Sequence, residues 1–487
     1  MIISKKINYL IILIFFGLWT SLGSDPYDFL IIFEGDLILQ NIFKLKLFNV
    51  INFFRALVPL VCLIICFVII IKYKIYKNQN KLLYILLYIQ IISGFTTIIS
   101  NYSLISDLET TIDHIGRYHW TISSIATIFI FMIGSKLKNF DIKILFYISL
   151  FFIALMVFWF SINIIKDFIY MDTIVHIYNL HVWRESAFFL DHQMPRITGL
   201  SRSILFLYIV IFVFNIRENF LLKSLSNFSL VLLGSLIILF QSKYSLICFI
   251  IFNLIIYFIS KDKFKIGKKI LILFLLQILF FFVISNSRFL VKEKLYDNYG
   301  FPIKIENLKI NKKAYHEGIS KNEIDINFEY DDYKEPIKHL RTYGDSTKEG
   351  LDFILDVISS GRLKLWTDSF EYIKKRPFLG YGSMSDRIIL NQKRYKLVQV
   401  VNPISNAYLY SLFSGGILSL LFLIYFWIKI GKDILTPLKR KLFNDKYHII
   451  GTLIIFLLFL RCIIENSIML FGVDFILLLN SFYLIKK

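Results

Sequence analysis

The sequence predicts an all-α, polytopic integral membrane protein with about twelve transmembrane helices. Of its 487 residues, 56% are hydrophobic and only 18% are charged, and the mean hydropathy is +0.64. Soluble domains carry about a quarter charged residues, so this composition excludes an ordinary soluble domain. Many apolar runs approach the roughly 20 residues that cross a hydrocarbon core about 30 Å thick. They predict spans near residues 8–23, 52–71, 82–100, 119–135, 144–163, 203–216, 225–241, 245–260, 270–285, 405–428, 448–464 and 467–485.

Loop lengths divide the chain into three parts. Residues 1–285 hold the first nine predicted spans, with a medium loop at 164–202, and residues 405–487 hold the last three. Between them lies a large loop, residues 286–404, whose first half is polar and irregular or weakly stranded and whose second half contains amphipathic helices. Long loops of this kind usually carry function.

Basic residues predict the orientation, because lysine and arginine resist translocation across the membrane. They concentrate in alternate short connections, together with Lys5, Lys6, Lys486 and Lys487 at the two termini. Both termini are therefore expected in the cytoplasm and the two long loops outside it. The formal charge of +20 follows from this topology signal and predicts no nucleic-acid partner.

The cysteines predict no disulfide framework. All four lie inside predicted spans, where buried thiols are expected. They are Cys62, Cys66, Cys248 and Cys462.

No nucleotide, metal or nucleophile-elbow motif occurs in a suitable context, so we predict no metal and no cofactor. The candidates for chemistry are arginines at the outer ends of helices. Arg196 and Arg202 stand at the start of the sixth span, and Arg362 stands in the first turn of an amphipathic helix. An arginine beside the free N–H groups of a helix N-terminus makes a good anion site. The alternative for each arginine is a side chain that reaches for lipid headgroups.

The amphipathic helix is predicted from a helical repeat of apolar residues that ends at Pro377. Ser360 can cap it. Its predicted apolar face consists of Leu363, Trp366, Phe370 and Ile373.

Three further features allow two readings each. Asn406 can cap the tenth span or bind a sugar hydroxyl, and Lys243, between two spans, either joins the anion site or reaches for headgroups. Arg461 and Glu465 lie four residues apart in the eleventh predicted span. We expect them to form a structural ion pair on one helix, with a proton relay as the alternative.

These residues occur in a familiar order. The run GRLKLWTDSFEYIKKRPFLGYG, followed by SNAYLYSLFSGGILSLLFLIYFW, resembles the signature region of the O-antigen polymerase and O-antigen ligase superfamily of bacterial inner membranes. PRITGLSRS is similar to the superfamily's Arg-x-x-Gly segment, and QSKYSL to a Ser-Arg-like connection in which Lys243 replaces arginine. The resemblance covers roughly residues 190–430.

The resemblance implies a GT-C-like fold and a metal-independent, inverting glycosyltransferase that needs no cofactor. Arg196, Arg362 and Asn406 would be the catalytic residues, the arginines gripping the diphosphate of an undecaprenyl-linked oligosaccharide at the periplasmic face. The residues that would bind substrate are Arg202, Lys243, Trp366 and Ser405. Protein partners would be a chain-length regulator and a flippase.

One departure concerns the general base. Many members have His-Asn or His-Ser where this chain has Ser405-Asn406, and that histidine is their expected base. Its absence favours a repeat-unit polymerase over a ligase that transfers glycan to lipid A-core or protein. It also leaves the base unassigned, with Asp191, Glu185 or His192 as weak candidates. A flippase or transporter is a further alternative, although no internal repeat supports it.

Overall fold

The computed structural model describes the helical body of the chain. The described residues are 5–22, 47–77, 79–103, 111–137, 140–170, 197–215, 220–240, 242–259, 263–299, 308–309, 327–328, 362–386, 389–390, 404–439 and 445–486.

Helices make up almost all of this part. They are α1 Lys5–Thr20, α2 Leu47–Lys72, α3 Lys81–Ser103, α4 Thr111–Gly134, α5 Lys143–Tyr170, α6 Ile197–Asn215, α7 Phe220–Leu239, α8 Lys243–Ile259, α9 Lys263–Tyr299, α10 Arg362–Lys375, α11 Ala407–Lys439, α12 Lys446–Cys462 and α13 Val473–Lys486. Two short strands, β1 Leu308–Lys309 and β2 Asn327–Phe328, pair antiparallel.

A helix lies at each of the twelve predicted spans. By length and hydropathy, four helical segments in the described part can cross a membrane: Phe54–Lys72, Lys81–Ser100, Phe264–Val283 and Ala407–Ile434. Six more apolar helices are shorter. The protein is therefore membrane-embedded, and the number of crossings stays a prediction.

Two helices, α4 and α6, contact most of their neighbours and hold the bundle together. In the first half, α4 contacts α1, α2 and α3; in the second, α6 contacts α7, α8 and α12. The C-terminal helices pack against the first half of the chain. Helix α11 packs on α3, and α13 packs on α5 and also on α12. Large apolar side chains point away from this core, among them Phe264 on α9, as expected where lipid is the solvent. All four cysteines are buried and free, as the sequence predicts.

Helix α10 forms where predicted, and one stripe of it is buried. It begins at Arg362 and packs against α11. Leu365, Ser369 and Ile373 are buried, whereas Phe370 is 46% exposed. These three recur at intervals of four, so they share one stripe of the helix, and Phe370 lies beside it. Phe370, which the sequence places on the apolar face, therefore lies accessible on the surface of the helix.

The turn after α10, residues 376–386, docks into a break in α11. Three backbone hydrogen bonds join the two segments, each 2.8 Å long. They run from Tyr381 N–H to the Phe413 carbonyl, from Gly382 N–H to the Ser414 carbonyl and from Ile417 N–H to the Pro377 carbonyl. This turn, which contains Gly380 and Gly382, therefore fixes α10 to α11 through backbone hydrogen bonds.

Glycine is required at the break itself. Gly416 has φ 68° and ψ −168°, a region that only glycine occupies without strain. A Cβ there would overlap the Phe378 carbonyl. The sequence pattern of glycines in this helix thus reflects the close approach of two backbones.

A buried arginine secures the same turn. Arg117 on α4 is 1% exposed, and its Nε donates to the Ser383 carbonyl at 2.7 Å. Its Nη2 donates to the Tyr381 carbonyl at 2.7 Å and to the Ser100 hydroxyl at 2.9 Å. Burial raises the pKa of Tyr381, whose hydroxyl donates to the Tyr372 carbonyl at 3.0 Å. We call this region the turn anchor.

Candidate functional site

Charged side chains converge where several helices begin or end on one side of the bundle, here called the arginine end. Contacts described below join the starts of α6, α8, α10, α11 and α13 to the end of α12. We use the name arginine cluster for five residues at this end: Arg202, Arg362, Arg461, Glu465 and Asp474.

Asp474 is the centre of the cluster. Its Oδ2 lies 2.6 Å from Nη1 of Arg202 and 2.9 Å from Nε of Arg461. The Asp474 side chain is completely buried, and both guanidinium groups are nearly so. Ser467 also donates to Oδ2 and accepts from Arg461 Nε at 3.1 Å. One carboxylate therefore fixes two arginines from different helices, which restricts the directions in which their remaining N–H groups can point.

The second pair of the cluster is more open. Nη2 of Arg362 lies 3.2 Å from Oε1 of Glu465, and the two side chains are 27% and 21% exposed. Arg362 is the first residue of α10, as the sequence predicts for the first turn, and its partner follows the end of α12. The amphipathic helix is thus tied to the bundle through the arginine that the sequence singled out.

The predicted pair of Arg461 with Glu465 on one helix was wrong. Helix α12 ends at Cys462, so Glu465 lies in the turn beyond it. Its backbone N–H still bonds the Arg461 carbonyl at 2.8 Å, but the side chains separate to Asp474 and Arg362. The i to i+4 rule applies only while the helix continues.

The cluster is short of negative charge. Three guanidinium groups face two carboxylates, which leaves a net charge of +1. An aromatic ring also borders the cluster. Arg461 Cζ lies 5.1 Å from the centroid of the Tyr244 ring, near the start of α8, which is a cation–π contact. A partly buried excess of positive charge is most stable beside an anion.

Unused hydrogen-bonding groups accumulate at the same helix ends. Buried polar atoms are normally paired, so each unpaired one calls for a partner that the chain itself does not supply, such as water or a bound ligand. Within the described residues, the buried atoms without a hydrogen-bond partner include Arg202 Nε, Asp474 Oδ1, Asn466 Nδ2, Trp366 Nε1 and the hydroxyls of Ser201, Ser242 and Ser245.

Asn406 acts as a helix cap and as a link. Its Oδ1 accepts the N–H groups of Tyr408 and Leu409 at 3.0 and 2.9 Å, which caps α11. Its Nδ2 donates to the Ile463 carbonyl at 2.8 Å. The cap therefore holds the start of α11 against the turn that carries Glu465, and Ser405 is buried directly before it.

The other predicted residues differ in what the structure shows of them. Trp366 lies one turn after Arg362, half-buried on the same helix. Lys243 is the first residue of α8, and its side chain is not among those described. Arg196, together with the base candidates Glu185, Asp191 and His192, lies outside the described residues; α6 begins at the residue after Arg196.

Sequence reasoning did not single out Asp474. The residue stands in the apolar run FGVDFILLLN, at the start of α13. An isolated carboxylate in a predicted span is itself a signal, because such a residue needs a partner. Its partners come from 272 residues earlier in the chain and from α12, so only the fold could identify them.

Fold and site together define a membrane-embedded, α-helical protein with a partly buried cationic site at one end of its bundle. Residues 228–424 match the family model described as O-antigen ligase. This match confirms the resemblance to the O-antigen polymerase and ligase superfamily and indicates a function of that general type. No curated protein and no solved structure matches the chain. The matched range contains Arg362 and Asn406, whereas Arg202, Arg461, Glu465 and Asp474 lie on either side of it.

Proposed function

We propose that this protein is a polysaccharide repeat-unit polymerase. It transfers a glycan from one undecaprenyl-diphosphate-linked donor to the non-reducing end of another lipid-linked repeat unit, with inversion at the anomeric carbon and without a metal ion or cofactor. The observation that carries the proposal is the arginine cluster: a net positive, partly buried site with unused hydrogen-bond donors at the end of a membrane bundle. Such a site suits the diphosphate of a lipid-linked sugar.

The proposed role of each arginine follows from how exposed its side chain is. Arg362, which is part-exposed, would contact the donor diphosphate directly, with Trp366 Nε1 as a further donor group on the same helix. Arg202 and Arg461 are more enclosed than Arg362 and would supply positive potential. Arg202 would also offer its unpaired Nε donor. As the glycosidic bond breaks, negative charge grows on the diphosphate, and fixed guanidinium groups stabilise that change.

Arg196, Lys243, Ser405 and Asn406 complete the proposal. Arg196 directly precedes Ile197, the first residue of α6, in the sequence, and Lys243 is the first residue of α8. They would add further contacts to the diphosphate or the glycan. Asn406 would be a positioning residue, because its amide holds the start of α11 against the Ile463 carbonyl beside the cluster. Ser405, the residue before it, would line the site at the start of α11.

A ligase of the same superfamily is the second candidate, favoured by the description of the matching family model. Ser405 argues for the polymerase, because relatives that transfer to lipid A-core are expected to carry histidine there. A flippase is a third possibility that the same experiment distinguishes. In either enzyme we place the protein in the bacterial inner membrane, with both termini in the cytoplasm and the arginine end in the periplasm.

The test is deletion of the gene in its source strain, followed by size separation of the lipopolysaccharide. A polymerase defect leaves core carrying a single repeat unit. Bare core with accumulated lipid-linked polymer would indicate a ligase, and bare core without outer-face intermediates would indicate a flippase.

Complementation then tests the site. Plasmids with Arg362→Ala or Arg196→Ala should leave single repeats, whereas Lys374→Ala, a change of an exposed cation on α10, should restore long chains. Equal amounts of protein in the membrane are checked by immunoblot. Long chains from both arginine variants would refute the proposed site.

A further inference from the structure

Transfer of a glycan to a hydroxyl group needs an acceptor for the hydroxyl proton, and Ser405 and Asn406 at the start of α11 supply no basic side chain for it. We infer that Glu465 is the catalytic residue that accepts this proton. The inference rests on the proposed polymerase function and concerns the same site.

Glu465 has the position that a base requires. Its Oε1 lies 3.2 Å from Nη2 of Arg362, the arginine proposed to contact the donor diphosphate. With 21% of its side chain exposed, the carboxylate can be reached by a second substrate from outside the bundle. Asn406 fixes the start of its turn through the Ile463 carbonyl, so the group is placed by backbone structure rather than by a long flexible loop.

The other described carboxylates of this region are less suitable. Asp474 is completely enclosed between two guanidinium groups, so no substrate can reach its carboxylate. Asp386 is fully buried and accepts the Ile404 N–H at 2.7 Å. Asp368 and Glu371 lie on α10 away from the stripe of Leu365, Ser369 and Ile373 that packs inward.

The ion pair with Arg362 couples proton transfer to donor binding. Without donor, Arg362 and Glu465 neutralise each other. A bound diphosphate carries more negative charge than one carboxylate and offers several acceptor oxygens, so it attracts the Arg362 guanidinium more strongly. Glu465 then loses its ion-pair partner, and its carboxylate oxygens become available to the acceptor hydroxyl.

The reaction balances in one transfer. The acceptor hydroxyl gives its proton to the Glu465 carboxylate while its oxygen forms a bond to the anomeric carbon of the donor. The bond between that carbon and the diphosphate oxygen breaks, and its electron pair leaves with the lipid diphosphate, whose charge Arg362 neutralises. Release of the diphosphate restores the ion pair, and the proton of Glu465 passes to water.

The test compares Glu465→Gln, Glu465→Asp and Glu371→Gln in the purified full-length protein reconstituted in nanodiscs. The substrate is lipid-linked repeat unit isolated from the deletion strain, and the binding probe is undecaprenyl diphosphate. Glu465→Gln should reduce turnover by about 10²–10⁴-fold, the usual contribution of a general base. Its affinity for undecaprenyl diphosphate should be equal or higher, because Arg362 no longer has a competing partner.

Two matched measurements separate this role from a structural one. Glu465→Asp should retain part of the turnover, since the base is kept but displaced by one methylene. Glu371→Gln, an exposed change on α10, should behave as the wild type.

Turnover of Glu465→Gln within a factor of three of the wild type would overturn the inference, as would loss of undecaprenyl diphosphate binding. If Arg362→Ala is inactive, the proposed function would stand even when either of these results rejects Glu465 as the base. Normal turnover in both Arg362→Ala and Glu465→Gln would instead reject the site on which both proposals depend.

Discussion

The turn anchor and the arginine cluster both bury arginine side chains, yet they use them differently. Within the part of the chain that the structure describes, Arg117 donates to two backbone carbonyls and one hydroxyl and joins α4 to the turn after α10. Arg202 and Arg461 share one carboxylate, and Arg202 Nε has no partner among the described residues. The first arrangement fixes a backbone, while the second keeps positive charge and unused donors at the end of the bundle.

The difference shows how to separate a structural arginine from a functional one. A guanidinium group has five N–H donors, so neutral carbonyls around it satisfy its geometry and hold the chain. A carboxylate shared between two guanidinium groups neutralises only half of their charge. The remaining positive charge lies beside the part-exposed pair of Arg362 with Glu465, where an anionic substrate would neutralise it.

The comparison predicts its largest effect on stability at Arg117. Arg117→Ala removes several buried hydrogen bonds and leaves their carbonyls unpaired, so we expect a loss of about 3–5 kcal/mol in stability. Thermal unfolding of the detergent-solubilised protein, followed by fluorescence-detected gel filtration, measures it. Arg362→Ala is the contrast: its pair is part-exposed, so the unfolding midpoint should change little while polymerisation is lost. Equal midpoints for the two variants would remove the distinction between the regions.

A second prediction concerns the break that receives the turn. Gly416→Ala places a Cβ at φ 68° against the Phe378 carbonyl and should cost at least about 2 kcal/mol. Gly431→Ala is the matched control in the same helix, because nothing lies within 4 Å of the added methyl group. The control should be neutral or more stable by about 0.5–1 kcal/mol, as expected for alanine in a helix interior. Midpoints from the same unfolding assay decide between them.

Sequence patterns predicted the helices well because the bilayer imposes a simple rule of length and hydropathy. Helices lie at all twelve predicted spans, and α10 starts at Arg362, the arginine singled out in its first turn. Phe370 shows what these patterns leave open: on a short amphipathic helix, neighbouring stripes are both apolar, and only the surface of α11 decides which one is buried.

The arginine cluster was only half predictable. Arg202 and Arg362 stood out because a charge at a helix end is costly and informative. Their partners did not, since Arg202 pairs with Asp474 and Arg362 with Glu465 across separations of 272 and 103 residues. The local rule instead joined Arg461 to Glu465, and it failed where α12 ends at Cys462.

Anion binding should act on the cluster and leave the turn anchor unchanged. Inorganic pyrophosphate at ten times its dissociation constant should stabilise the wild type by about 1.4 kcal/mol, because it binds only the folded state. The midpoint of Arg362→Ala should not respond, whereas that of Lys374→Ala should respond fully. High sodium chloride should reduce this stabilisation by pyrophosphate, because salt screens the part-exposed charge of Arg362. An equal shift in Arg362→Ala would place the bound anion elsewhere.

The smallest expected effect lies at Asn406, where the two functions of one side chain can be separated. Asn406→Ala removes the cap of α11 and the bond to the Ile463 carbonyl, and the cap alone contributes about 1 kcal/mol. Asn406→Asp keeps an oxygen that accepts the Tyr408 and Leu409 N–H groups but opposes the Ile463 carbonyl with a second oxygen. Aspartate should therefore preserve more of the thermal stability than alanine while still lowering turnover, because the turn that carries Glu465 is no longer tied to α11. If aspartate restored both stability and turnover, Asn406 would be only a cap, and the position of Glu465 would depend on its ion pair with Arg362.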